Sequence, residues 1–320
     1  MSKVYKILMC SWPTELRGPG VSYQNHKKSL ENSEYFELSE ITQELINTPE
    51  KMKQFDVFWF YTPFEGPMYG HLKSNYPHVK FWMGPNILLD KAELGISNGW
   101  EQGFTTSVES DVYCNNSNFY LKRVLQFYKN SKKNIVLKYC MDLSKFEDNS
   151  SIEQNEKKFD VLLYVKKRRI DTQFDTLLQS LIHLLESDPE IKYHTIEYGS
   201  YKREDFFKKV KESKVTAWIS IEDYCSAAQL ECQYLDCPIV GTQYNLTDTF
   251  DSSYWVDAQT MSDTDWIRWK PDAHIHYYDG IKRILKNYKN ISGKPSKFIK
   301  QNYNLESYSK YVKSILEEII

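Results

Sequence analysis

The chain has 320 residues, with 41 Lys and Arg against 43 Asp and Glu and a formal net charge of −2. That length predicts about two domains, each able to bury a core. The charge balance supplies no broad basic field and argues against a nucleic-acid partner, and no apolar run approaches membrane-spanning length.

The first dozen residues hold too short an apolar run for a signal peptide and predict a strand over residues 4–10. Pro13, Gly18, Pro19 and Gly20 then predict a loop, followed by a helix over residues 21–30. Next come a short strand at 36–38, a helix over 41–55 interrupted near Pro49, and a buried strand at 56–61, DVFWFY. Its exit loop carries Glu65 and His71. Another strand at 79–83 exits through Gly84, Pro85 and Asn86. A strand region over 105–113 precedes a capped helix at 118–128. Residues 147–158 are polar and charged and read as a linker.

Beyond the linker, residues 159–165 predict a strand, and Lys166, Lys167, Arg168 and Arg169 follow at once. A helix over 171–186 carries an apolar stripe of leucines that belongs to a core. A strand at 193–197 leads to Tyr198 and Gly199, and a basic amphipathic helix follows at 204–212. The six cysteines show no CxxC spacing and read as buried thiols of a reducing cytoplasm. His274 and His276 lack a third ligand, so no metal is expected. Helices are predicted over 277–289 and 306–320, with a break at Gly293-Lys294-Pro295.

The most informative stretch is 215–242. Residues 215–221 predict a strand that ends at Glu222 and Asp223. Ser226 is an N-cap candidate for a helix over 227–235, and Ile239-Val240-Gly241 start another strand. Such a βαβ unit belongs in a parallel sheet, which binds ligands at its carboxyl edge. Free amides at Ser226, Ala227 and Ala228 suit a phosphate, and the Glu231 carboxylate suits a ribose diol. Acids that merely complement a helix dipole would give the same residues.

Asp223 and Glu231, seven residues apart, followed by Cys237-Pro238-Ile239-Val240-Gly241-Thr242, resemble the acid-x7-acid and PVVGT-like pattern of retaining nucleotide-sugar glycosyltransferases of the GT-B type. That family's first acid is usually Glu, followed by an aromatic residue and Gly. Here Asp223 stands at that register, Glu222 lies one residue early, and Ser226 takes the place of the Gly, so either acid is a candidate for the sugar contact. The opening strand–loop–helix with Gly20 resembles the first unit of these enzymes. Met141-Asp142-Leu143-Ser144-Lys145-Phe146 matches the second half of the segment that closes their first domain, with Tyr139-Cys140 replacing the usual Asn-Gly.

The resemblance implies an α/β protein of two Rossmann-like domains facing across a cleft, with the C-terminal helix crossing back to the first domain. The acceptor-side domain would span 1–148 plus 304–320, and the nucleotide-sugar domain 156–303. It implies sugar transfer from a nucleotide-diphosphate-sugar to a hydroxyl acceptor such as a glycan, with retention, and with no cofactor or metal. Lys166, Lys167, Arg168 and Arg169 would hold the diphosphate and stabilise the leaving group. Ser226, Ala227 and Gly20 would approach the phosphates, Tyr198 and Gly199 the nucleobase, and Glu231 the ribose. Glu222 or Asp223 would meet the sugar, and His71, Glu65 and Asn86 would be acceptor contacts. Two other readings are a silent nucleotide-binding module of this shape and a virus-type transferase acting on modified DNA bases, which predicts a basic face.

Overall fold

The computed structural model describes residues 3–14, 19–62, 66–85, 109–116, 121–122, 125, 128–146, 157–167, 172–220, 227–242, 254–261 and 267–320. The chain divides into two compact units, Met1–Asp142 with Tyr303–Ile320, and Leu143–Asn302.

Unit 1 is built on a six-stranded sheet of order β2-β1-β3-β4-β5-β6, parallel throughout. Its strands are β1 (Tyr5–Ser11), β2 (Phe36–Glu40), β3 (Val57–Phe60), β4 (Lys80–Met83), β5 (Ser110–Asn115) and β6 (Ser131–Val136). β3 is buried at all four positions and β4 at three, as strands covered on both faces must be. Trp59 and Trp82 stack across β3 and β4 with centroids 4.3 Å apart. Helix α1 (Pro19–Glu31) follows β1, and α2 (Gly66–Asn75) follows β3. The helix predicted over 41–55 is instead two single turns, Gln43–Ile46 and Pro49–Met52. Pro49 cannot donate into a continuous helix but suits a first turn. β5 runs two residues past the end of the strand region predicted at 105–113, and Cys114 and Asn115 are buried in it.

Unit 2 carries a four-stranded parallel sheet of order β10-β9-β7-β8. The strands are β7 (Phe159–Lys166), β8 (Tyr193–Glu197), β9 (Ser213–Ser220) and β10 (Ile239–Val240). Helices α3 (Thr172–Glu186), α4 (Arg203–Lys211), α5 (Ala227–Tyr234) and α6 (Ala273–Ile291) alternate with the strands or follow them. Phe206 and Val210 of α4 share one core cluster with Cys232 of α5 and with Tyr164 and Trp218 of the sheet. α3 and α6 pack together, and α6 also packs on β9 and β10. The Tyr277 hydroxyl of α6 donates to the Trp218 carbonyl at 2.9 Å. A hairpin, β11 (Gln259–Met261) with β12 (Ile267–Trp269), precedes α6. The expected break at Gly293-Lys294-Pro295 is the start of α7 (Lys294–Asn302), with Pro295 in its first turn.

The last helix, α8 (Leu305–Ile319), belongs to unit 1. Its apolar face, with Val312, Ile315 and Leu316, enters the core beside β1, β3 and β4. Tyr308 stacks on His26 of α1 at 4.3 Å and 8°. The Ser29 hydroxyl donates to the Leu305 carbonyl, and the Tyr311 hydroxyl to the Val136 carbonyl at 2.6 Å. Among the described residues, no helix is long and apolar enough to cross a membrane.

Candidate functional site

Because every pairing in the unit 2 sheet is parallel, the exits of β7, β8, β9 and β10 lie along one edge. The register sets Val165 beside Glu197, Lys166 beside Ser220, and Val240 beside Ala217. The chain leaves β7 to one side for β8 and returns on the other side as β9. The strand order therefore reverses between β7 and β9, and open α/β sheets bind ligands in the crevice at such a point. Lys166 ends one of these strands and Ser220 ends the other.

Lys166 is 5% exposed, and its ammonium sits 4.7 Å from the centroid of the Tyr198 ring. Tyr198 is 55% exposed and is fixed at the exit of β8 by its amide, which donates to the Val165 carbonyl at 2.8 Å. Gly199 follows at φ +89°, a turn geometry that favours glycine. Lys167 takes a different direction: its ammonium reaches both carboxylate oxygens of Asp175 on α3, each at 2.6 Å. Arg168 and Arg169 lie outside the described residues, as do Glu222, Asp223 and Ser226. Ala227 is the first residue of α5.

Glu231, in the second turn of α5, has a side chain only 8% exposed. The Arg203 guanidinium donates to its Oε1, so the carboxylate expected to meet a ribose diol is ion-paired in this structure. Burial pushes the Glu231 carboxyl above its ordinary pKa, and the charges of Arg203 and Lys145 pull the other way. Arg203 opens α4, with its guanidinium 5.0 Å from the Phe207 ring. Tyr201, in the same exit loop, donates to the Tyr164 hydroxyl at 3.0 Å. A second polar group joins the exits of β9 and β10. The Thr242 hydroxyl donates to Gln259 Oε1, and Gln259 Nε2 donates to the Ser220 carbonyl at 3.2 Å. Arg203 and Gln259 were missed in the sequence. The one available signal for Arg203 was its place just past the Gly199 turn.

In unit 1 the described candidates are Gly20 and His71. Gly20 is not in a loop but in the first turn of α1, since Pro19 pre-sets the helical φ one residue earlier. His71 is not in an exit loop either: it is exposed on α2, with Nδ1 3.2 Å from Asn75 Nδ2. Glu65 and Asn86 lie outside the described residues. A buried polar group absent from the sequence expectations links Ser22, Tyr61 and His26. The Tyr61 hydroxyl is 3.1 Å from Ser22 Oγ and 2.9 Å from His26 Nδ1. Burial lowers the His26 pKa to about 3, against a weaker opposing backbone contact at Lys138.

Among the described residues, no group of three or more His, Cys, Asp or Glu is arranged to hold a metal ion.

No protein-family model matches the chain, and no curated protein sequence matches it. Solved structures do. A sucrose-phosphate synthase from Thermosynechococcus elongatus matches with TM-score 0.65 at 10% identity, covering 98% of this chain and 99% of that one. Anabaena Alr3699/HepE in complex with UDP-glucose matches with TM-score 0.59 at 9% identity, covering 98% and 99%. An alpha-glucosyltransferase in complex with UDP and a 13-mer DNA containing an HMU base matches with TM-score 0.52 at 12% identity, covering 98% and 100%. Likeness at these identities shows fold alone. The fold is of the GT-B type: two Rossmann-like α/β units, with the last helix returned to the first.

Proposed function

We propose that this chain is a glycosyltransferase that moves a sugar from a nucleotide-diphosphate-sugar to a hydroxyl acceptor, with retention of configuration. One observation carries this reading. At the strand-order reversal of unit 2, a buried lysine (Lys166), an exposed ring (Tyr198) and a buried acid in the second turn of a helix (Glu231) stand along the same sheet edge. A cation and helix amides suit a diphosphate, a ring suits a base, and a carboxylate suits a diol. UDP-glucose bound to one protein of this fold and UDP bound to another make uridine the first base to test.

The chemistry this edge supplies is electrostatic. As the glycosidic bond breaks, its electron pair passes to the departing diphosphate oxygen. Lys166 and the amides that open α5 would meet that charge without moving. Lys167 would join them by exchanging Asp175 for a phosphate, and Arg168 and Arg169 follow it in the chain. Glu231 would bind the ribose with Arg203 as its counter-ion, which keeps a buried carboxylate ionised. Glu222 or Asp223 would contact the sugar, and the departing phosphate would take the acceptor's proton.

The test is a set of UDP, ADP, GDP and TDP sugars. Thermal unfolding reports binding, and mass spectrometry reports transfer and hydrolysis. A donor at a hundredfold excess over its Kd should add about 3 kcal/mol of stability. No stabilisation by any nucleoside diphosphate would remove the proposal, and binding without turnover would reduce it to a binding module.

A second reading, transfer to a modified DNA base, draws on the DNA-bound glucosyltransferase of this fold. It requires affinity for DNA that falls steeply with salt.

A further inference from the structure

A cavity lined by described residues lies at the other end of the unit 2 sheet. It has a volume of about 990 Å³, near the upper end of the usual small-molecule range. Asp160 at the start of β7 and Lys214 at the start of β9 line it, together with the turn before β8 and the second half of α6. Lys166 is six residues along β7 from Asp160, which is roughly 20 Å of strand. The cavity is therefore separate from the edge where the donor is proposed to bind.

Its charges do not cancel. Asp160 accepts from Lys214 at 2.7 Å, and Asp188 accepts from Lys282 at 2.9 Å and from the Tyr278 hydroxyl at 2.7 Å. These two acids are committed to two of the bases. The remaining charged lining is Glu190 against Arg283, Lys286 and Lys289. Among the described residues, no carboxylate pairs with any of these three cations. They recur every third residue on α6, about 4.5 Å of helix rise apart. A helix dipole accounts for a cation in the last turn, such as Lys289. It does not account for Arg283 and Lys286 further back, nor for all three lining one cavity. The chain reinforces the bias: residues 280–305 contain seven Lys or Arg and no Asp or Glu, in a protein whose net charge is −2.

We propose that this cavity binds a small molecule carrying two or more phosphate groups, held by Arg283, Lys286 and Lys289. A single anion would leave part of the cation row unanswered. A concave site with fixed acids on its wall suits a compact ligand better than an extended polyanion, which would run past Asp188 and Glu190.

Pyrophosphate is the probe, at physiological ionic strength so that diffuse attraction is screened. It is titrated calorimetrically into the Lys166→Ala protein, in which the other diphosphate site is weakened. A second titration uses that protein with Arg283→Glu, Lys286→Glu and Lys289→Glu added. Binding in the first, lost by about tenfold or more in the second, is the expected result, since one charge-assisted contact is worth that much. The positions are exposed, and a triple Gln variant with an unchanged urea midpoint controls for folding. No binding in the first protein, or equal binding in both, overturns the proposal. Binding of an oligonucleotide at the same residues without binding of pyrophosphate also overturns it, in favour of a nucleic-acid surface.

Discussion

Arg203 and Glu231, 28 residues apart in sequence, form an ion pair in which the acid is buried and the base is half exposed. The asymmetry decides what each partner does. Taking the carboxylate out of water is costly, and Arg203 is its main compensation. The pair also orients Glu231 in advance of any ligand.

Removing Arg203 should therefore cost more than removing the carboxylate's charge. Arg203→Ala is expected to lower stability by about 1–2 kcal/mol, discounted from a fully buried pair because the guanidinium is solvated. Glu231→Gln should cost less, and the double variant should show coupling of about 1 kcal/mol. The raised pKa of Glu231 sets the sign with pH. Its contribution is present below the unfolded value and is lost as pH rises through the folded value. Arg203→Ala should move that loss to higher pH. Urea titrations at several pH values check this, and strictly additive effects would show that the pair does not matter.

Lys166→Ala should weaken UDP binding about tenfold and leave uridine binding unchanged, because an ammonium answers phosphate and not base. The loss of its contact with Tyr198 should cost only about 0.5–1 kcal/mol of stability. Equal losses for UDP and uridine would point to a general disturbance of the β7 exit instead.

His26 should give unit 1 an acid-side liability. Its folded pKa is about 3, below the unfolded value of about 6.5. Between those values the unfolded chain holds one more proton than the folded one. Stability is thus complete above pH 6.5 and falls as pH drops, by about 1.4 kcal/mol per unit, until the folded pKa is reached. His26→Phe keeps a ring against Tyr308 and should remove that slope. Urea midpoints from pH 6.5 to pH 5, where most carboxylates are still ionised, compare the two proteins, and parallel slopes would contradict the assignment.

Gly84→Ala should be among the most damaging small changes in unit 1. Gly84 has φ +98°, and a Cβ there would stand 2.1 Å from the Cys114 carbonyl oxygen. Both the backbone strain and the clash with an immobile atom point to a loss of about 2–4 kcal/mol, read by chemical denaturation. A change below about 0.5 kcal/mol would mean the β4 exit can shift away from β5.

What the sequence determined by itself was the rhythm of unit 2. Runs such as VLLYV in β7 and VTAWIS in β9 are too continuously apolar for a sheet with one wet face, so a covered parallel sheet with intervening helices was the economical solution. The α5 segment was legible for the same local reasons: helix formers between a strand end and a Pro-containing break. Gly20 and His71 were misplaced locally, because Pro19 and Gly66 open helices where loops were expected. Only tertiary structure decided the partners. Arg203 meets Glu231 because α4 and α5 share one core cluster on the sheet, and no local pattern encodes that adjacency. The cation row of α6 forms a cavity wall because the amino ends of β7 and β9 lie beside it. Propensity and periodicity act over a few residues, whereas strand order joins residues far apart in the chain, and it is strand order that sets which charges meet.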